Sequence, residues 1–300
     1  MKYLKTLVFS FTLLYSESKI VASDGDIDDR FGKSVALSNN WLIIGANRDD
    51  DSGDNSGSVY LYEYENSEII SEHKIIPYDG DDNDYFGKAL ALDGQWLAVT
   101  SLYDDINGEK SGSAYIYKLE DNQWSFHSKL APDDGAPLDR FGYSIDIHDG
   151  TIVIGSVYDD DYGQDSGSIY IYELNDDIWT FKSKLNSAYQ LEEDFFGVSV
   201  AVHDNIIAVG SVYDDNGGNN AGSVAIFKNE NNTWIEYNIL TAFDSQDYDF
   251  FGNAIDLNNQ RLAVGAFHDD NIYQNSGSVY IYNIHENIEF SYKISAYDES

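Results

Sequence analysis

Apolar residues fall in short runs along this chain, and the runs themselves recur. A Phe-Gly pair opens each cycle, at Phe31-Gly32, Phe86-Gly87, Phe141-Gly142, Phe196-Gly197 and Phe251-Gly252, with a constant step of 55 residues. Apolar positions then alternate with polar ones, as at Val35 and Leu37 or Ile145 and Ile147, which is the period of a strand with one buried face. A very short polar turn follows: Asn39-Asn40, Asp93-Gly94, Asp149-Gly150, Asp204-Asn205 or Asn258-Asn259. Asp-Gly between apolar runs predicts a tight hairpin, because both residues tolerate the positive φ that such a turn requires. The second run is apolar without alternation, as in Leu42-Ile43-Ile44 and Ile152-Val153-Ile154, and predicts a strand covered on both faces. Beyond an acidic loop, the third run (Ser58 to Tyr62 and its echoes) puts aliphatic residues on one face and Tyr on the other. The fourth carries Trp124, Trp179 or Trp234 ahead of Lys129-Leu130, Lys184-Leu185 or Ile239-Leu240. No unit holds a 3.6-residue apolar period long enough for a helix.

Four short antiparallel strands per unit, repeated without helical spacers, predict an all-β fold: a β-propeller of five four-stranded antiparallel blades. A second marker, Gly57, Gly112, Gly167, Gly222 and Gly277, keeps the same 55-residue phase, so loop length is fixed by packing. A β-solenoid is the rival, but its coils of roughly 20–30 residues would split each unit into dissimilar halves. A fourth-strand element, Lys19 to Asp24, precedes the first Phe-Gly, and its copy, Lys293 to Asp298, ends the chain. If the first copy joins the last blade, the ring closes by pairing the two ends and removes open sheet edges. A closed five-bladed ring is therefore expected, the alternative being the front portion of a longer array.

Phe-Gly, then Gly-Ala at Gly45-Ala46 and Gly265-Ala266, then Ser-Gly-Ser-Val-Tyr, resembles the FG-GAP repeat of integrin alpha-chain propellers. The resemblance spans residues 19–300 and implies an extracellular binding or adhesion propeller. It departs from the integrin pattern in two respects. Integrin propellers usually have seven blades, and their calcium loop, an Asp-x-Asp-x-Asp-Gly run, lies between the first and second strands. Here that place holds two-residue turns that cannot wrap an ion.

Charge sharpens the picture. The chain has 53 acidic and 17 basic residues, a formal net charge of -36, which argues against nucleic acid and anionic membrane surfaces as partners. In a blade the loops after strands two and four emerge on one rim, and 32 of the 53 acidic residues fall in those windows. An intensely negative rim is predicted. It serves solvation, or it binds divalent cations that offset the repulsion, with Ca²⁺ the leading candidate because it accepts six to eight oxygens in flexible geometry. Asp24, Asp26 and Asp28 alternate like the first ligands of a calcium loop, as do Asp79, Asp81 and Asn83. The most regular candidates are Asp49-Asp50, Asp104-Asp105, Asp159-Asp160, Asp214-Asp215 and Asp269-Asp270, with Asp29, Asp84, Asp139, Asp194 and Asp249 two residues before each Phe. One Asp of each set is expected to meet at the rim of a blade.

The catalytic signal is weak. No two of the six histidines have metal-ligand spacing, and His148 and His203 occupy equivalent turns, where they are read as solvated turn residues. A single site shows as one unit departing from its siblings, and the departures here are mild. Cysteine is absent, which excludes disulfides and thiolate metal sites. Met1 to Ser18 has a basic start, an apolar run from Thr6 to Tyr15 and small polar residues after it. That is the order of a secretory signal peptide, and the run is short of the roughly 20 residues a membrane span needs. The expectation is a secreted or cell-surface, non-enzymatic propeller that recognises an extracellular protein or glycan. Two alternatives stay open: a secreted hydrolase with a carboxylate site in the axial channel, and a purely structural surface protein.

Overall fold

The computed structural model describes residues 19–295 apart from 67, 271, 272 and 286; the expected signal peptide, residues 1–18, lies outside the described residues. Every unit forms a four-stranded antiparallel sheet whose strands pair in chain order. The first blade holds β1 (Phe31–Ser38), β2 (Trp41–Ala46), β3 (Ser58–Glu65) and β4 (Glu68–Ile75). The second holds β5 (Phe86–Asp93), β6 (Trp96–Ser101), β7 (Ser113–Glu120) and β8 (Gln123–Leu130). The third holds β9 (Phe141–His148), β10 (Thr151–Ser156), β11 (Ser168–Asn175) and β12 (Ile178–Leu185). The fourth holds β13 (Ser199–His203), β14 (Ile206–Ser211), β15 (Ser223–Glu230) and β16 (Thr233–Leu240), and the fifth β17 (Phe251–Leu257), β18 (Arg261–Ala266), β19 (Ser278–Ile284) and β20 (Ile288–Ser295). The unalternating second strands are buried on both faces in the first four blades, β6 at every position, while in β18 Ala263 and Gly265 are only partly covered. The hairpin turns follow the expected chemistry, with Asp149 at φ 42° and Gly150 at φ 74°. In the second blade, however, Asp93 still pairs with Trp96, so the turn is Gly94-Gln95 and not Asp93-Gly94.

The core lies between blades. The face of each blade carrying its Phe packs on the opposite face of the blade before it: Phe86, Leu90 and Val99 on Ile43, Val59 and Leu61, for example. The Phe of each Phe-Gly is fully buried in the second to fifth blades. In the second, third and fifth blades it meets a third-strand Tyr edge to face, with Phe86–Tyr115, Phe141–Tyr170 and Phe251–Tyr280 centroids all 5.3 Å apart, and in the fourth Phe196 meets Phe227 at 6.2 Å, the favoured geometry for aromatic quadrupoles. The innermost strands pack in series, β1 on β5, β5 on β9, β9 on β13 and β13 on β17.

The series does not return on itself. Among the described residues β17 does not pack on β1, so the five described blades form an open arc and the expected ring closure is not found among them. Val35 and Leu37 on β1 are 63% and 72% exposed, whereas their counterparts Val200 and Val202 are 8% and 2% exposed. The N-terminal copy of the fourth strand does not bridge the two ends. It does not join the last blade, whose sheet ends at β20. Instead Ile20 and Ala22 pack on the free face of the first blade, and Asp24 accepts a hydrogen bond from the Tyr60 hydroxyl at 2.7 Å. The segment after β4 seats on the second blade in the same way, with Asp79 accepting from Tyr115 at 2.7 Å.

Two glycines with matching backbone separate conformation from packing. Gly32 and Gly142 have φ of +91° and +94°, but a Cβ on Gly142 would lie 2.8 Å from Thr100 Cβ of the preceding blade, while one on Gly32 meets nothing within 4 Å. Gly32→Ala should cost about 1–2 kcal/mol for its left-handed backbone, and Gly142→Ala about 1–3 kcal/mol more for overpacking. Denaturation midpoints check this; equal losses at both positions would show that Gly32 is covered and the arc closed.

Candidate functional site: the acidic rim

The loops after second and fourth strands do share one rim and bond to each other, as Asn83 N–H to Asp54 C=O (2.6 Å) and Phe86 N–H to Ser56 C=O (2.9 Å) show. In each blade the charge of Asp49, Asp104, Asp159, Asp214 or Asp269 adds to burial in raising the carboxyl of Asp29, Asp84, Asp139, Asp194 or Asp249 respectively.

What surrounds the first set was not foreseen. Asp104 is buried, and its Oδ1 accepts from the Ile106 N–H at 3.0 Å. Its Oδ2 takes the Ser113 hydroxyl at 2.7 Å, lies 3.1 Å from the Tyr115 hydroxyl and 2.6 Å from Lys129 Nζ. Lys129 also reaches Asp79 at 2.9 Å, closing a ring of Asp79, Tyr115, Asp104 and Lys129. The same ring forms from Asp24, Tyr60, Asp49 and Lys74, from Asp134, Tyr170, Asp159 and Lys184, and from Asp244, Tyr280, Asp269 and Lys293. Burial opposes the charge on Lys129, but Asp104 and Asp79 outweigh it and hold the ammonium above its usual range. Burial and the same two carboxylates push the Tyr115 phenol up, keeping it a proton donor.

The fourth blade has Tyr189, Ala225 and Ile239 at the ring positions. Three members are lost together, and Asp214 is held instead by Ser223 Oγ at 2.8 Å and by Asn216 through N–H (2.6 Å) and Nδ2 (3.1 Å).

These surroundings bear on the calcium expectation. Asp49, Asp104, Asp159 and Asp269 have donors on both oxygens and a lysine ammonium within hydrogen-bonding distance. They do not fit a site built from open oxygens, because the chain supplies the neutralising cation itself. Asp50, Asp105, Asp160, Asp215 and Asp270 each brace their loop by accepting the N–H five residues on. Asp29, Asp84, Asp139, Asp194 and Asp249 accept the N–H three residues back. Of the alternating set, Asp26 caps the Ile27 N–H, Asp28 pairs with Arg48 at 2.8 Å, and the N–H of Asp81 serves Asp84. Asp24, Asp26, Asp29, Asp49 and Asp50 line one cleft of about 340 Å³. The fourth blade has a larger one of about 530 Å³, walled by Glu192, Glu193, Asp194, Asp215, Asn219 and Asn220, with no lysine or arginine.

Along this rim runs a file of aromatic rings and guanidinium groups, tilted or edge to face with one another, that the strand pattern did not announce. Arg48 lies 5.7 Å from the Tyr85 ring, Tyr85 4.9 Å from Tyr103, and Arg140 spans Tyr103 at 5.3 Å and Tyr158 at 4.0 Å. Tyr158, Phe195, Tyr213 and Phe250 continue at centroid spacings of 5.0, 5.0 and 5.5 Å. The residue before each Phe-Gly has a left-handed backbone, with Arg30, Tyr85, Arg140, Phe195 and Phe250 at φ of 54–57°, and in the second to fifth blades its side chain joins the file. The signal was present in the sequence as an aromatic or Arg at that one phase.

Comparison with known proteins follows the same units. A family model described as the FG-GAP repeat matches residues 15–62, 70–117, 124–172, 179–227 and 234–282. No curated protein matches the chain. Among solved structures, a protein from Bacteroides fragilis NCTC 9343 described as a putative 6-phosphogluconolactonase superposes with a TM-score of 0.56 at 12% identity, over 88% of this chain and 71% of that one. At that identity the likeness concerns the fold alone.

Two outcomes follow from the rim. Lys184→Met leaves Asp159 buried and unpaired and should cost about 3–5 kcal/mol, whereas Lys110→Met, at an exposed pair with Glu109, should cost under about 1 kcal/mol; urea denaturation reads both. Burial, partly offset by an N–H, pushes Asp84, Asp139 and Asp194 from 3.8 up to about 6. A raised folded-state value means their contribution is fully present below about pH 4 and lost as pH rises through about 6. The melting temperature should therefore climb between pH 7 and pH 5, and Asp→Asn at all three should flatten that climb.

Proposed function

Because the chain belongs to the FG-GAP repeat family, we propose that it is an extracellular, non-catalytic binding propeller whose acidic rim recognises a protein or glycan ligand. The observation carrying this reading is the file from Arg48 through Tyr103, Arg140 and Tyr158 to Phe250 beside a belt of carboxylates. Half-buried Tyr and Phe rings offer large, rigid contact area at low entropic cost, and Arg and Tyr are the side chains enriched where binding energy concentrates. Flat rings also suit the apolar faces of sugars, while neighbouring carboxylates and amides accept from hydroxyl groups. The repeated scaffold holds both on rigid strand ends.

Calcium enters this proposal at the fourth blade, where Asp194, Asp215 and Asn219 line a cleft free of basic residues. Oxygen donors of that kind suit a hard cation. A glycan and extracellular-protein array, probed with and without calcium, tests the reading. Binding should fall at least about tenfold in Tyr158→Ala or Phe195→Ala, in line with aromatic anchors at interfaces. Excess calcium should raise the melting temperature of the wild type by mass action and leave Asp194→Asn/Asp215→Asn unmoved. No ligand on either array, or equal binding by the aromatic variants, defeats the proposal.

A further inference from the structure

The opposite rim carries a cluster of different chemistry. Hairpin turns between first and second strands put His148 and His203 at the ends of β9 and β13, one on each of two adjacent blades. Their imidazole rings stack with centroids 3.9 Å apart and planes 23° from parallel. His148 Nε2 lies 3.2 Å from Asp204 Oδ1. One ligating atom from each of His148, His203 and Asp204 falls within 4.8 Å of the others. Both histidines are half-buried, so the reading of them as independent solvated turn residues is corrected.

The repeat supplies an internal control. At the histidine position the five blades have Ser38, Asp93, His148, His203 and Asn258, and at the next position Asn39, Gly94, Asp149, Asp204 and Asn259. Only the junction of third and fourth blades can set imidazole against imidazole with a carboxylate alongside. That junction is also tied by a side chain the other junctions lack. Asp146 stands where the first, second and fourth blades have Ala36, Ala91 and Ala201. Its Oδ2 accepts the Val202 N–H across the blade boundary at 2.7 Å, and its Oδ1 accepts the Ile147 N–H at 2.9 Å. The bond fixes the two strands just before the two histidines, so the turns are held in register.

We propose that His148, His203 and Asp204 form a binding site for a divalent transition-metal ion of the zinc class. Two neutral imidazole nitrogens and a carboxylate oxygen are borderline donors that suit Zn²⁺, Co²⁺ or Ni²⁺ over Ca²⁺. Bonds of about 2.0–2.2 Å in tetrahedral geometry need donor atoms about 3.3–3.6 Å apart. The donor atoms already lie within 4.8 Å of one another, so binding an ion draws them together by about 1 Å. Three protein ligands leave one position for water or for a donor from a bound molecule. The site lies on the rim away from the acidic loops and is independent of the function proposed for them.

The test uses the purified full chain with Co²⁺ and Zn²⁺ alone. One Co²⁺ per chain should give visible d–d absorption that Zn²⁺ displaces. His148→Ala and His203→Ala should each abolish that absorption, and Asp204→Asn should weaken binding about tenfold or more. His268→Ala, on the acidic rim, should bind like the wild type. If His203→Ala melts early without metal, His203→Gln keeps the turn polar and must still lose the absorption. Absence of the absorption in the wild type, or its survival in both histidine variants, overturns the proposal.

Discussion

Each blade is anchored to the one before it by a single ring. From the second blade on, the Phe of the Phe-Gly pair enters the seam, turns its edge to a Tyr of its own third strand (Phe227 in the fourth blade), and fills the space left by the neighbouring sheet. The glycine after it lets the first strand bulge and pass close to the previous blade, where a Cβ on Gly87 would lie 2.7 Å from Ser58 O. A seam built this way tolerates no change of spacing, because one inserted residue would turn the alternating face outward. The constant 55-residue interval is the trace of that constraint, and the loops on the acidic rim inherit their positions from it.

Concentrating aspartates on one rim and burying several of them is costly. The chain meets the cost locally, in every blade but the fourth, by sending the lysine near the end of the fourth strand back over the third-strand tyrosine to the buried carboxylate. The Lys129 ammonium sits 4.6 Å from the Tyr115 ring while pairing with Asp104 and Asp79. The fourth blade shows that the ring of four is a unit: once Lys gives way to Ile239, Tyr gives way to Ala225 and the linker Asp to Tyr189. An ammonium without the second carboxylate, or a buried phenol without an acceptor, would be worse than neither.

The strands, their order and their burial were legible because hairpin turns and apolar periods are local signals. The lysine–aspartate rings were not, since Lys74 and Asp49 are brought together across a blade by register, and no spacing of two residues announces that. Read alone, an aspartate present in every repeat suggests a ligand; in the fold Asp159 is a structural acceptor. The Arg30, Tyr85 and Arg140 phase was visible but varies in chemistry, so it fell outside any single motif. His148 and His203 looked alike because they are equivalent, and their meeting depended on the curvature that sets adjacent blades side by side. Closure was misjudged because two copies of the fourth strand compete for one place: β20 fills the last sheet, and the copy at residues 19–24 is left seated on the first blade through Tyr60 and Lys74.

Seams joined in series also make cooperativity a local matter, since each blade couples only to its neighbours. The second, third and fourth blades each hold two seams among the described residues, and such a blade leaves only by breaking both. Amide protection is set by that count of seams more than by the strength of any one sheet. The His148–His203 junction and the Tyr158–Phe195 contact both fall at the seam between third and fourth blades, where each partner is also held from its other side.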